Sequence, residues 1–331
     1  MIIRHKLSFL FLLVILCSLL GCSQQSEKGN TKTLVAAPAL NVDSAYFFIQ
    51  KQVDFGPRIP NSEAHKAAGQ WFEEKFKSYG AKVYLQEFEE DTYNGVKIEL
   101  KNIIASFNPE KKKRLLLAAH WDTRPFADSD SEDKKAQFDG ANDGASGVGI
   151  LLEVARIISS VKNPEVGIDI ILFDGEDWGD AGEDYGRMTG GKDSWWCLGS
   201  QYWSKNKHIP NYTAYYGVLL DMVGAKDATF YYDGVSQENA GRVLTQVWET
   251  AHQLGHQKYF KMESALQNGL IDDHVYVNKY ARIPMIDIMD YRKAQKSFFP
   301  EHHTAQDNMD AISKATLNAV GETLLTLIYN E

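Results

Sequence analysis

Residues 115–122 read Leu115-Leu116-Leu117-Ala118-Ala119-His120-Trp121-Asp122, an unbroken apolar run that ends at once in a histidine and an aspartate. An apolar run this short, without polar alternation, reads as a strand buried on both faces, and such strands belong to mainly parallel sheets covered by helices. Working outward, runs of the same kind lie at 168–173, 218–220 and 285–288. Helical spacing separates them: Ile150, Leu151, Val154, Ile157 and Ile158; then Val243, Val247 and Ala251; then Ile312, Ala315, Val320, Leu324, Leu327 and Ile328. Upstream, Ala67, Trp71, Phe72 and Phe76 mark a helix that Asn61 or Ser62 can cap. Residues 83–88 and 98–107 predict an antiparallel pair turning at Tyr93-Asn94-Gly95. The expectation is a single α/β domain over 41–331, with a central, mostly parallel mixed sheet and helices on both faces, closed by a C-terminal helix.

The chain has 331 residues, 44% hydrophobic and 24% charged, enough to bury one substantial core. Its net charge of -9 excludes a nucleic-acid partner, which needs a basic face to displace counterions. Lys111-Lys112-Lys113-Arg114 reads as a solvated edge before a strand. Asp128, Asp130, Glu132 and Asp133 read as a solvated loop, able to attract a cationic amine if it lies near an active site.

The first residues read as an export signal rather than as fold. Arg4 and Lys6 precede the apolar stretch 7–20, and Leu19-Leu20-Gly21-Cys22 stands where cleavage is expected. The stretch is short for a membrane span, and the pattern resembles a bacterial lipoprotein signal. Residues 1–21 are therefore expected to be removed, Cys22 to carry a lipid, and 22–40 to tether the domain. That makes an exported lipoprotein at the periplasmic face of a membrane, touching the membrane through its anchor alone. Of three cysteines, Cys17 leaves with the signal and Cys22 is lipidated, so no internal disulfide is expected. Cys197 lies in an aromatic stretch with no acid/base partner nearby in sequence, and reads as a buried small hydrophobe.

In open α/β sheets, reactive groups gather past the carboxyl ends of strands. Here those ends carry His120-Trp121-Asp122, Asp174-Gly175-Glu176-Asp177 and Asp221. The loop Gly140-Ala141-Asn142-Asp143 precedes a helix, and Pro300-Glu301-His302-His303-Thr304 precedes the last one. Each position alone has an ordinary explanation, and Asp143 in particular can cap the helix that begins near Ala145. Together they form a nitrogen and oxygen ligand set that suits Zn²⁺. Competing motifs fail. His252 and His256 stand four apart, but Gln253 occupies the place of a metalloprotease glutamate. Gly144-Ala145-Ser146-Gly147-Val148 lacks the second glycine of a nucleophile elbow, and no phosphate-binding glycine loop is present.

These motifs, with Leu220-Asp221-Met222 and His303-Thr304, resemble the zinc exopeptidase family of bacterial aminopeptidases (peptidase family M28). A closer likeness to glutaminyl cyclases of the animal type is carried by Phe55-Gly56-Pro57-Arg58, Leu220-Asp221-Met222-Val223-Gly224-Ala225, Asp272-Asp273-His274 and Phe299-Pro300-Glu301-His302-His303-Thr304. The resemblance implies one zinc on Asp143, Asp177 and His303, and peptide or protein N-termini as substrate. Asp177 stands where the animal enzymes have Glu, and His302 replaces an aromatic residue. It also implies Glu176 as a proton shuttle, with Asp221 and Asp273 orienting it by hydrogen bonds. Phe299, Trp195 or Trp196, and His302 would shape the pocket. A two-zinc aminopeptidase uses the same inventory, with His120 and Asp221 on a second metal and Asp143 bridging. A catalytically dead peptide-binding lipoprotein is the third reading, disfavoured because Glu176 and every ligand are present.

Overall fold

The computed structural model describes residues 34–161, 163–181, 193–266 and 270–331, so the segment expected to be a signal peptide, and Cys22 with it, lie outside the described residues. The chain runs α1 (Val42–Val53), α2 (Glu63–Ser78), β1 (Lys82–Asp91), β2 (Lys97–Phe107), β3 (Arg114–His120), α3 (Ala145–Ser160) and β4 (Gly167–Phe173). It continues through α4 (Leu198–Lys205), β5 (Tyr216–Asp221), β6 (Phe230–Asp233), α5 (Gly234–Gln253), β7 (Phe260–Leu266), α6 (Asp273–Tyr276), β8 (Met285–Met289) and α7 (Lys314–Tyr329). The main sheet has the order β1-β2-β4-β3-β5-β8. Strands β4, β3, β5 and β8 are mutually parallel, while β2 lies antiparallel to both β1 and β4. A separate parallel pair, β6 and β7, was not foreseen from the sequence.

The unbroken apolar runs are explained by burial: every residue of the four parallel strands except Arg114 is buried. Alternate side chains feed two cores. Leu115, Leu117, Ala119, Ile170, Leu172, Val218, Leu220 and Ile286 pack toward α1, α2, α3, α5 and α7. Leu116, Ala118, Ile171, Phe173, Leu219 and Met285 pack toward Trp203 of α4 and toward Val277 and Ala281, which lie in a π-helical turn at Val277–Ala281. Helices thus cover both faces, as expected.

Local chemistry sets the helix starts. Ser62 accepts from the His65 N–H and caps α2, whereas Asn61 clasps the β1–β2 hairpin through Lys97 O and the Glu99 N–H. Asn41 caps α1, whose buried residues Ala45, Phe48, Ile49 and Gln52 follow helical spacing. The chain is tied to the domain from Val35, earlier than the expected start, because Val35 exchanges two hydrogen bonds with Asn330. Arg114 corrects the reading of its basic run: it turns inward and forks onto Asp169 at 2.6 and 2.7 Å. Among the described residues, no helix is long and apolar enough to cross a membrane.

Candidate metal and catalytic site

Strand β3 ends at His120, which is buried, and its Nε2 lies 3.0 Å from Asp143 Oδ1 and 3.2 Å from Asp221 Oδ1. The Asp143 loop is held from outside. Asp307 accepts the Asn142 N–H at 2.7 Å and the Asp143 N–H at 3.1 Å, while buried Arg58 donates to Trp121 O, Asp139 O and Gly140 O. Asp143 does not cap α3. The cap is Gly144, with φ +86° and no side-chain bond; a Cβ there would lie 2.8 Å from Asp122 O and 3.1 Å from the His120 ring. Asp143 is thereby free to present its carboxylate to the rim. Ser146, the failed nucleophile elbow, is buried and spans Asn142 O and the Val223 N–H.

A second cluster adjoins the first. His303 Nε2 lies 3.2 Å from Asp177 Oδ1 and 3.4 Å from Asp143 Oδ2, and its Nδ1 lies 3.3 Å from Asp128 Oδ1. Both Asp177 oxygens are buried and accept no hydrogen bond of normal geometry. Buried carboxylates without donors, facing one imidazole nitrogen, are what a zinc ion requires, and a carboxylate on the other ring nitrogen fixes the histidine's tautomer. The residues therefore fit the metal. Asp122 supports the set by accepting both the Glu176 and Asp177 N–H groups at 3.1 Å. Arg124 is buried, binds Asp177 O, Gly179 O and Asp128, and lies 4.7 Å from the Trp196 ring centre. Asp128 therefore belongs to the site, and the solvated-loop reading holds only for its exposed neighbours Glu132 and Asp133.

Glu176 Oε1 lies 3.2 Å from the Cys197 sulfur, and Asp272 brings a carboxylate oxygen within 4.8 Å of both groups. Cys197 is buried as expected, yet it has the acid/base partner that sequence proximity hid. Asp272 joins the expected Asp273 beside Glu176, and both push its carboxyl up; Asp272 also accepts the Asp273 N–H as the cap of α6. Asp273 is buried next to it, and neither of its oxygens accepts a hydrogen bond of normal geometry. Burial raises the Glu176 carboxyl well above its ordinary range, against the pull of His120 and with the push of Asp177, Asp272 and Asp273. Burial likewise pushes Asp221 up to about 7. Burial acts against ionisation of Asp143 too, but His120 and His303 hold its carboxyl well below the usual value.

The aromatic wall is only partly as expected. Trp196 stacks on His303 with ring centres 6.2 Å apart, and Trp195 is half-buried beside it. The His302 ring stacks 3.6 Å from that of His303, and burial lowers its pKa to about 3. Phe299 is 2% exposed, packed with Met222, Ala225 and Met289, so it backs His302 from the core. The half-buried Phe298 ring centre lies 4.6 Å from that of His302. His252 and His256 bind Phe260 O and Glu322 and take no part.

Imidazoles and carboxylates at the carboxyl ends of β3, β4 and β5 of such a sheet define a zinc-exopeptidase class of α/β enzyme. The chain belongs to peptidase family M28, whose model matches residues 102–328. It is similar to solved glutaminyl cyclases. That of Bacteroides thetaiotaomicron is 46% identical with a TM-score of 0.84, covering 89% of this chain and 100% of that one. That of Porphyromonas gingivalis is 47% identical with a TM-score of 0.82, covering 88% and 98%. The glutaminyl-peptide cyclotransferase of Bos taurus is 27% identical over 305 residues, 82% of this chain and 77% of that protein.

Proposed function

We propose that the chain is a glutaminyl-peptide cyclotransferase, converting the N-terminal glutamine of peptides and proteins to pyroglutamate with release of ammonia. The observation that carries this is Glu176, a half-buried carboxyl of raised pKa beside the Asp143, Asp177 and His303 set, in a chain similar to glutaminyl cyclases over nearly its whole described length. In the reaction the α-amine nitrogen bonds to the γ-carboxamide carbon, and the C–N bond to ammonia breaks. The attacking amine must lose a proton and the departing nitrogen must gain one. Glu176 takes the first and delivers the second, a role for which a raised carboxyl pKa is suited. Asp221 and Asp273, with Asp272 beside them, orient that exchange. Zinc, bound by Asp143, Asp177 and His303, would supply a Lewis acid for the γ-carbonyl oxygen. Trp195, Trp196, His302 and Phe298 form the wall against which the glutamine side chain packs, with Phe299 behind His302.

A single zinc is the form proposed, with His120 and Asp221 joined by their own contact at 3.2 Å. The second reading is a two-zinc aminopeptidase, favoured by one observation: His120, Asp143 and Asp221 all bring ligand atoms within 4.8 Å of one another. Metal content of the purified protein, measured with ammonia release from a Gln-initiated peptide, separates the two. One zinc per chain with ammonia is expected. Two zincs, with free amino acid and no ammonia, would sink the cyclotransferase reading. The Glu176→Gln variant should keep its zinc and lose turnover. Export as a lipoprotein through Cys22, at the periplasmic face of a membrane, completes the proposal and is tested by lipid labelling of the full chain against a Cys22→Ala control.

A further inference from the structure

Cys197 is a buried thiol that the reaction above does not use. It stands at the turn into α4 with φ +57°, a left-handed backbone that a non-glycine residue holds only where its surroundings demand it. Those surroundings are the Glu176 loop. The Cys197 N–H donates to Glu176 O at 2.9 Å, and the Leu198 N–H donates to Gly175 O at 3.0 Å. From the other side, Cys197 O accepts the Gln201 N–H and the Ser200 hydroxyl, while the Gln201 amide ties down Ser194 O and Trp196 O. The thiol is thus fixed in place, and its Sγ lies 3.2 Å from Glu176 Oε1.

We propose that Cys197 is a positioning residue for Glu176: its S–H donates to Oε1 and sets the rotation of the carboxyl, leaving Oε2 as the oxygen that exchanges protons. Asp272 does not replace this donor: its Oδ1 accepts the Asp273 N–H and its Oδ2 makes no hydrogen bond. Burial and the neighbouring Glu176 charge raise the thiol's pKa well above normal, so it remains a donor.

The proposal rests on the cyclotransferase reading for its assay, and Cys197→Ser and Cys197→Ala are the variants to compare. Both remove the sulfur's volume, but only serine keeps a donor. With zinc content and thermal unfolding midpoint matched to the wild type, Cys197→Ala should lose about tenfold in kcat at unchanged KM, the scale of one hydrogen bond, and Cys197→Ser should stay within about threefold. Serine falling as far as alanine, alanine matching the wild type, or a loss carried by KM would each overturn the assignment. Infrared spectroscopy gives a readout independent of turnover. The S–H stretching band should shift when Glu176→Gln is made, and an unmoved band would show that the bond does not exist. A wild-type protein that releases no ammonia defeats the functional reading, while the band shift still decides whether Cys197 holds Glu176.

Discussion

His303 turns one ring nitrogen toward two carboxylates and the other toward a third, so the ring's orientation rests on Asp128 as much as on the backbone. Its own backbone is strained, with φ +55°, as is that of Met222 beside Asp221. Removing Asp128 should therefore loosen the metal without removing a ligand. The Asp128→Ala variant is expected to bind zinc about 10- to 100-fold more weakly, as read by competition with a chelator. An unchanged affinity would mean that the strained backbone alone orients the ring. Nothing in the sequence marked Asp128 for this work, since it sits in an acidic run and its partner arrives far along the chain. Asp122 was better signposted, lying in the quoted His120-Trp121-Asp122 motif, but its bonds go to backbone N–H groups, which no side-chain pattern reveals. Asp272 and Asp273 show the same limit at its finest. Adjacent identical residues take different work where the chain turns: Asp272 caps α6 while both carboxylates push on Glu176.

At the scale of elements, the parallel strands were legible because burial on both faces leaves an unbroken apolar run, and the long helices because their buried stripes repeat at helical spacing. Helices α1 and α4 and the β6–β7 pair were not foreseen. Helix α4 has only eight residues and starts from a left-handed cysteine rather than a capping side chain. It matters because it carries Trp203, whose indole N–H donates to His208 Nδ1 at 3.1 Å in the connection to β5. Burial lowers His208 to about 4, so the folded state holds this imidazole neutral. The unfolded chain takes up a proton near pH 6.5, the folded chain only near 4, so His208 contributes stability above pH 6.5 that is lost as pH falls toward 4. Asn at this position keeps an acceptor for Trp203 and cannot titrate. Chemical denaturation across that window should show the wild type losing about 3 kcal/mol more than His208→Asn. Parallel curves for the two proteins would refute it.

For the whole molecule, the sequence indicated which residues meet at the rim but not the order of the strands that brings them there. The antiparallel β2 pairs directly with β4, a contact between segments with β3 and α3 between them in the chain. The consequence is a site assembled from distant segments: Asp143 before α3, Asp177 after β4 and His303 before α7. An ion held by all three closes those loops only in the folded chain, so its binding free energy adds to folding. The fold otherwise gathers Asp143, Glu176, Asp177, Asp221 and Asp272 within one rim, where burial and mutual repulsion oppose ionisation of most of them. Stripping the metal should then lower the thermal midpoint, and restoring zinc should recover it, by an amount equivalent to about 4 kcal/mol when free zinc is about a thousandfold above its dissociation constant. In Asp128→Ala the same zinc addition should recover less, because a weaker site contributes less linkage. Metal-free protein that melts at the wild-type midpoint would show instead that the core and the Arg58 and Asp307 braces hold the rim without help from the ion.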